Sequence, residues 1–342
     1  MKTVLVTGGA GFIGSNFVRY LHHERPDYRV IVLDALTYAG NLDNLPPAVR
    51  ESKQFEFWHG NVTNGEIVNT LVARSDVVVH FAAESHVARS IFDNRIFFET
   101  DVVGTHVVAN AVLKAADKVE RFIHISTSEV YGTALESPMT EEHPLNPTTP
   151  YAAAKTGADR LVYSYWQTYG IPAVIIRPFN QYGPHQHLEK VVPRFITSGL
   201  CGSPLTVHGD GASSRDWGFV GDTCEAIDKA IHVPLERVVG QAINLGTGRD
   251  VAVRDLATML INRLGVSPSC IQRVSDRPGQ VDRHIGSTQK AKALLDWEPT
   301  TSLEDGLDIT IDWYSRNRDW WRTQQWMKLV PVRTREGCIE YH

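Results

Sequence analysis

Short, almost wholly apolar runs alternate with longer amphipathic ones through the first half of the chain. The apolar runs cover Thr3–Thr7, Arg29–Asp34, Val77–Phe81, Arg121–Ser126 and Ala173–Arg177. They are continuous instead of alternating, which predicts strands buried on both faces, as in a parallel sheet. Segments over about 12–24, 64–73, 99–116 and 151–169 lie between them with helical character. Parallel strands need such crossovers. The pattern predicts an α/β fold, a doubly wound parallel sheet of the Rossmann-like kind, over residues 1–180.

Beyond Pro178, Pro and Gly become frequent and the elements shorten. A strand-like Gln241–Leu245 and a helix-like 252–264 predict that the chain revisits the first unit, with the 215–250 region partly returning to it. Residues 181–325 are therefore expected to form a smaller, interleaved lobe. Residues 326–342 make a poor helix and are expected to wrap or fray as a tail. No internal repeat interrupts the series.

A chain of 342 residues, 42% hydrophobic, has ample material for one sizeable core. Net charge is −5 with the cations scattered, which offers no basic field for nucleic acid or an anionic membrane. No apolar run is expected to span a bilayer, and a strand at Thr3 leaves no room for a signal peptide. Cys201, Cys224, Cys270 and Cys338 stand far apart without a CxxC, so reduced thiols and a cytoplasmic setting are expected. The 14 histidines form no HExxH or Cys/His pattern, and no metal is expected.

The first chemical signal is Thr7-Gly8-Gly9-Ala10-Gly11-Phe12-Ile13-Gly14, between the first strand and the first helix. Gly8 allows the tight turn, Gly11 lets backbone approach a pyrophosphate, and Gly14 lets helix pack on strand. The helix N-terminus then faces the phosphates. Asp34 follows twenty residues after Gly14, at the end of the second strand. A carboxylate there takes the ribose hydroxyls and repels a 2′-phosphate, so NAD is expected over NADP. Asn61 and Val62 are placed to touch adenine, and Phe81-Ala82-Ala83 to line the pyrophosphate side.

The second signal is Tyr151-Ala-Ala-Ala-Lys155, twenty residues after Ser126-Thr127-Ser128-Glu129-Val130-Tyr131-Gly132. Tyr and Lys at i and i+4 share one helix face. The ammonium is expected to pull the phenol below its usual pKa, making Tyr151 a general base for a sugar hydroxyl.

The glycine fingerprint, the Ser-Thr strand end and YxxxK together resemble the extended short-chain dehydrogenase/reductase family. Within it the chain is similar to the nucleotide-sugar 4,6-dehydratases, above all the dTDP-glucose type. The likeness is carried by Asp34-Ala-Leu-Thr-Tyr-Ala-Gly-Asn41, Ala82-Ala-Glu-Ser-His-Val-Ala-Arg-Ser90, Glu189-Lys-Val-Val-Pro193, Arg215-Asp-Trp217 and Asp276-Arg-Pro-Gly279. The resemblance adds Leu36, Thr37, Gly40 and Ser126 to the cofactor site, with Lys155 holding the nicotinamide ribose. It implies three stages. Tyr151 removes the C4 hydroxyl proton, assisted by Thr127, while hydride leaves C4 for NAD. Glu129 takes the acidified C5 proton and the C6 hydroxyl departs as water. Hydride then returns to C6, giving a 4-keto-6-deoxy sugar. It also implies a homodimer, paired through the 99–116 and 151–169 helices.

The chain departs from that pattern at four places. Ser128 stands where dTDP-glucose-type enzymes carry an Asp that protonates the leaving hydroxyl. Thr-Ser-Glu also resembles GDP-mannose 4,6-dehydratases, dehydratases of nucleotide-linked N-acetylglucosamine, and UDP-glucuronate decarboxylases. The oxidation at C4 is common to all of them; the step after it stays open among dehydration, decarboxylation and 4-epimerisation. Asp101 replaces a usual Asn, Asn61 a common Asp, and His284 a frequent Tyr.

A nucleotide-diphosphate sugar calls for donors and cations on the second lobe. Arg215, with a forked guanidinium, is the leading phosphate ligand. Asn180 and Lys190 are expected near the sugar phosphates, Asn244 and Arg283 farther along the nucleotide, and Ser85, His86 and Arg89 in the loop after Ala83. The stretch Arg277 to His284 resembles the loop that closes over the nucleotide. Trp313, Trp320, Trp321 and Trp326 are expected to pack beneath the second lobe.

Overall fold

The computed structural model of the chain describes residues 1–275, 281–328, 330–333 and 338–341. Its apolar runs become β1 (Thr3–Thr7), β2 (Arg29–Asp34), β3 (Phe55–His59), β4 (Val77–His80), β5 (Arg121–Ile125) and β6 (Ala173–Pro178). Then follow β7 (Asn180–Tyr182), β8 (Leu205–His208), β9 (Ser214–Phe219), β10 (Ala242–Leu245), β11 (Asp250–Ala252) and β12 (Ile271–Val274). The main sheet has seven strands in the order β3-β2-β1-β4-β5-β6-β10. Every pairing in it is parallel, from Val30 opposite Phe55 to Ala242 opposite Ile175.

Both faces of this sheet are covered, which explains why its strands do not alternate. Val4, Val6, Val30, Val32 and Val77 pack on Phe17, Val18 and Leu21 of the Phe12–Glu24 helix. Their neighbours Leu5, Ile31, Leu33 and Val78 point the other way, onto Leu71, Val108 and Val112 of the Gly65–Val72 and Thr105–Lys114 helices. Each such buried side chain contributes about 1.5–3 kcal/mol. Strand order reverses between β1 and β4, and at such a switch point a crevice opens at the strands' carboxyl ends.

The Pro150–Tyr169 helix has clear local causes at both ends. Thr149 caps it by accepting the Ala152 amide at 3.2 Å, Pro150 begins it, and Gly170 ends it at φ 70°. The helix expected over 99–116 differs. A short turn at Arg95–Phe97 leads into a π-helical stretch, Phe98–Gly104, and only then into Thr105–Lys114. The wider turn buries both Asp101 and Gly104, as π-bulges do near functional sites. The combined run Arg95–Lys114 is also long and apolar enough to cross a membrane by length and composition, contrary to expectation, with 44% of its apolar 18-residue window buried against the rest of the chain.

The chain leaves the main sheet after β6, builds a second lobe and returns with β10 along β6. That lobe holds a three-stranded sheet, β11-β9-β7, and a two-stranded one, β12-β8. Its core joins Val192, Phe195, Leu205, Leu256 and Leu260 to Tyr314 and Trp321. Trp313 and Trp320 pack against that core, but Trp326 is 66% exposed and does not. The tail wraps back: Val330 packs on Ala88, and β13 (Pro331–Arg333) pairs antiparallel with β14 (Ile339–Tyr341).

Candidate active site

A cleft of about 430 Å³ runs along the carboxyl ends of the central strands and on into the second lobe. At one end lies the glycine turn. Gly8 sits at φ 71°, and a Cβ on it would stand 2.7 Å from the Ala82 amide nitrogen. A Cβ on Gly14 would collide with the Gly8 carbonyl oxygen. Gly11 meets only that carbonyl, at 3.3 Å, and opens toward the cleft, which Phe12 and Ile13 also line.

Asp34 closes the adenosine side. Its carboxylate accepts the Ala10 and Leu36 amides, each at 2.8 Å, so one side chain binds the glycine turn to the loop after β2. Burial raises its pKa, and the backbone hydrogen bonds oppose the rise. Thr37, Gly40, Asn61, Val62, Phe81, Ala82, Ala83 and Ser126 line the same cleft. Leu36 does not; at φ 50° it faces an adjoining hollow. Asn61 turns its side-chain oxygen to the Thr63 amide at 2.9 Å.

Thr127, Ser128, Glu129, Tyr151 and Lys155 meet in the middle of the cleft. Thr127 caps a single 3₁₀ turn, Ser128–Tyr131, by accepting the Glu129 amide at 3.2 Å. The Tyr151 phenol hydrogen-bonds Thr127. Its pKa is not lowered as expected. Burial pushes it up, the Asp101 and Glu129 charges add to the rise, and the Thr127 bond only opposes it. The physical reason is where Lys155 points: its ammonium donates to the Ile125 carbonyl at 2.7 Å. Burial lowers the Lys155 pKa, while the Asp101 and Asp159 charges support its cationic form.

Behind the turn, His284 is fully buried. Its Nε2 lies 2.6 Å from the Gly132 carbonyl oxygen, and its Nδ1 lies 3.4 Å from Ser128 Oγ and 3.9 Å from Glu129 Oε1.

The substrate-side residues divide. Ser85, His86, Asn180, Lys190 and Arg215 line the cleft. Lys190 Nζ donates to the Ser85 carbonyl at 2.6 Å, His86 caps the Val87–Phe92 helix, and Arg215 Nη1 donates to the Ser214 carbonyl at 2.8 Å. Arg89, Asn244 and Arg283 are not brought to the wall. Arg89 lies over the Tyr38 ring and pairs with Glu189 at 3.0 Å. Asn244 is buried within β10, bonded to the Tyr131 hydroxyl at 2.7 Å. Arg283 turns outward to Asp250 at 2.8 Å. Asp276–Gly279, Arg277 included, lies outside the described residues.

Several lining residues went unassigned in the sequence. Glu84 faces Glu189 in the cleft wall; burial and that like charge push its carboxyl up to about 7. A charged residue four positions past the end of an apolar strand was its available signal. Thr206, His208, Ser213 and Val253 form the far end. They come from short peripheral elements whose sequence carries no motif.

The model of the GDP-mannose 4,6 dehydratase family matches residues 5–310. The chain is 44% identical over 311 residues to the low-salt glycan biosynthesis protein Agl12 of Haloferax volcanii, covering 91% of this chain and 98% of that one. It is 39% identical over 326 residues to a trifunctional UDP-glucose 4,6-dehydratase/3,5-epimerase/reductase of Arabidopsis thaliana, covering 94% of this chain but only 48% of that protein's length. Among solved structures, DesIV of Streptomyces venezuelae, a dTDP-glucose 4,6-dehydratase with NAD and TYD bound, superposes with a TM-score of 0.89 at 41% identity, covering 94% of this chain and 99% of that one. A match that takes in the glycine turn, the Thr127 turn and most of the second lobe leaves one conclusion: the chain belongs to the GDP-mannose 4,6 dehydratase family, among the extended short-chain dehydrogenases/reductases.

Proposed function

We propose that this chain is an NAD-dependent nucleotide-sugar 4,6-dehydratase that turns a nucleotide-linked hexose into its 4-keto-6-deoxy form. One observation carries the reading: a single cleft joins the Gly8–Gly14 turn and Asp34 at one end, Thr127, Glu129, Tyr151 and Lys155 at its centre, and Lys190 and Arg215 beyond them. The residues present fit NAD. Backbone at Gly8 and Gly14 is too close to its neighbours for any side chain, which leaves the helix N-terminus open to a pyrophosphate. The Asp34 carboxylate sits where a ribose is welcome and a second phosphate is repelled. NAD supplies the hydride acceptor for C4 and the hydride donor for C6.

The protein's own groups do the rest. Thr127 and Tyr151, hydrogen-bonded to one another, hold the C4 hydroxyl, and Tyr151 takes its proton as the phenolate, the form that burial and the Asp101 and Glu129 charges oppose. The resulting ketone acidifies C5, and Glu129, which is half-buried beside them, takes that proton. Arg215 and Lys190 hold the diphosphate. Ser128 favours a second reading, a UDP-glucuronate decarboxylase, since loss of CO₂ needs no proton delivered at C6; a 4-epimerase would need neither step. Incubation with dTDP-glucose, UDP-glucose, UDP-GlcNAc, GDP-mannose and UDP-glucuronate, followed by mass spectrometry, separates them. Loss of water is expected. Loss of CO₂, or an unchanged mass with a new configuration, would replace the reading.

The same proposal includes a homodimer in the cytoplasm. Val103, Tyr163 and Tyr169 project 49%, 38% and 56% exposed from the helices expected to pair, with Phe98 beside them at 43%, an apolar patch of the kind that marks an interface. All four cysteines are free thiols, which suits a reducing compartment. Sedimentation should give twice the chain mass; a monomer at micromolar concentration would rule the pairing out.

A further inference from the structure

We propose that His284 is a positioning residue for water elimination, delivering through the Ser128 hydroxyl the proton that the departing C6 oxygen requires. The inference rests on the dehydratase reading and deepens it. Ser128 lines the cleft, but an alcohol is too weak an acid to drive off hydroxide unaided. Directly behind it stands an imidazole that substrate cannot reach, 0% exposed, and among the described residues one group alone connects that ring to the cleft at hydrogen-bonding range: Ser128 Oγ, 3.4 Å from Nδ1.

The ring's other contact fixes which nitrogen titrates. Nε2 lies 2.6 Å from the Gly132 carbonyl oxygen, and a carbonyl only accepts, so Nε2 carries its proton in both charge states. Nδ1 is left to exchange. In the neutral ring Nδ1 accepts from Ser128, turning the hydroxyl away from the substrate. In the imidazolium Nδ1–H donates to Ser128, and the hydroxyl proton swings toward the cleft.

Glu129 makes the exchange responsive to the reaction. Its carboxylate lies 3.9 Å from Nδ1 and favours the imidazolium. Burial, then Arg215 and His143, favour the neutral ring. Once Glu129 accepts the C5 proton, its charge is gone; the Gly132 carbonyl alone still favours the imidazolium, and burial, Arg215 and His143 push His284 to deprotonate. The atoms balance. The C5–H bond breaks and its electron pair forms C5=C6 while the C6–O bond breaks. The oxygen leaves with the Ser128 proton as water, and Nδ1 reprotonates Ser128. Glu129 returns its proton to C5 when hydride reaches C6. The proton Tyr151 gained at C4 makes up for the one His284 gave, so the cycle releases none.

The test compares two leaving groups in single turnovers of the NAD-loaded enzyme: water from dTDP-glucose and fluoride from its 6-deoxy-6-fluoro analogue, which needs no proton to depart. In His284→Gln, an amide can still donate to Gly132 but cannot titrate. Water loss is expected to fall at least about tenfold, with NAD reduction and fluoride loss near wild type. The wild-type decline in water loss as pH rises past the imidazolium is expected to vanish. Ser128→Ala is expected to show the same selective defect, and the double variant to be no worse than either single one. Unchanged water loss in both variants overturns the proposal, and so does an equal fall in water and fluoride loss in both, since that marks a merely structural role. A wild-type enzyme that reduces its NAD on no nucleotide sugar at all removes the dehydratase reading itself, a result distinct from either.

Discussion

Arg177 on β6 grips both carboxylate oxygens of Asp159, two turns after Tyr151 on its helix, through hydrogen bonds of 2.9 Å each. The pair is buried and wired to the site on both sides. Ser126 donates to Asp159 at 2.7 Å, and Arg177 donates to the Tyr131 hydroxyl at 2.8 Å. The Thr127–Glu129 turn is thus held at both ends by one ion pair. Breaking such a pair from one side costs about 3–5 kcal/mol, and Asp159→Asn should lower stability by that order in urea unfolding. Burial alone would raise the Asp159 carboxyl; Arg177's hydrogen bonds and charge outweigh it and hold it well below the usual range. A depressed carboxyl contributes stability above its unfolded pKa and loses it only as pH falls through the folded one. The deficit of Asp159→Asn should therefore persist at neutral pH and close in acid.

Asp101 acts in the opposite sense. It lies in the π-helical stretch, accepts the Glu84 amide at 2.8 Å, and has its second carboxylate oxygen unpaired among the described residues. Burial pushes its pKa above the ordinary carboxylate range, against the pull of Lys155. A raised carboxyl gives stability that is complete below its unfolded pKa and lost as pH rises through the folded one. Asp101→Asn should flatten this fall, measured as thermal midpoints from pH 5 to 8. It should also shift the pH profile of C4 oxidation toward lower pH, because the Asp101 charge is one of the causes holding Tyr151 up. A profile that stays put would show that the Asp101 charge has no part in holding the phenol up.

Glu129→Gln keeps the shape of the Thr127 turn, whose cap uses only the Glu129 amide, and removes the base. C4 oxidation should survive in a single turnover while solvent deuterium no longer enters C5. Deuterium entry at the wild-type rate would assign the C5 proton to another group.

Asp34→Ser removes two charge-assisted acceptors, those of the Ala10 and Leu36 amides. At about 1.5–3 kcal/mol for a hydrogen bond to a charged group, NAD affinity should fall tenfold or more. NADP should lose less, since the repelling charge is gone. Titration calorimetry with both dinucleotides reads the change in ratio.

How much of this was legible in the chain follows from the range of each interaction. The parallel sheet was legible because runs such as Val77-Val78-Val79 are compatible only with two covered faces, as they are found. The glycine turn was legible because its constraint is local: Gly8 turns at φ 71° and a Cβ on Gly14 would collide with the Gly8 carbonyl oxygen six residues back, and Asp34 was legible from its place at the end of the second strand. Tyr151 and Lys155 were legible as a pair on one helix face. Their protonation was not. A pKa depends on what burial removes and which charges lie near, and Lys155 is drawn to the Ile125 carbonyl on another strand. Nor could spacing tell that Arg283 would turn outward to Asp250 or that Asn244 would be sealed inside β10. By itself the sequence determined the fold, the cofactor turn and the residues that meet at the centre of the cleft, since these rest on residues close in the chain or on hydrophobic pattern. Only tertiary structure decided which charges face one another. It set His284 behind Ser128 and Glu129, a contact between residues 156 positions apart, which depends on the second lobe closing on the first.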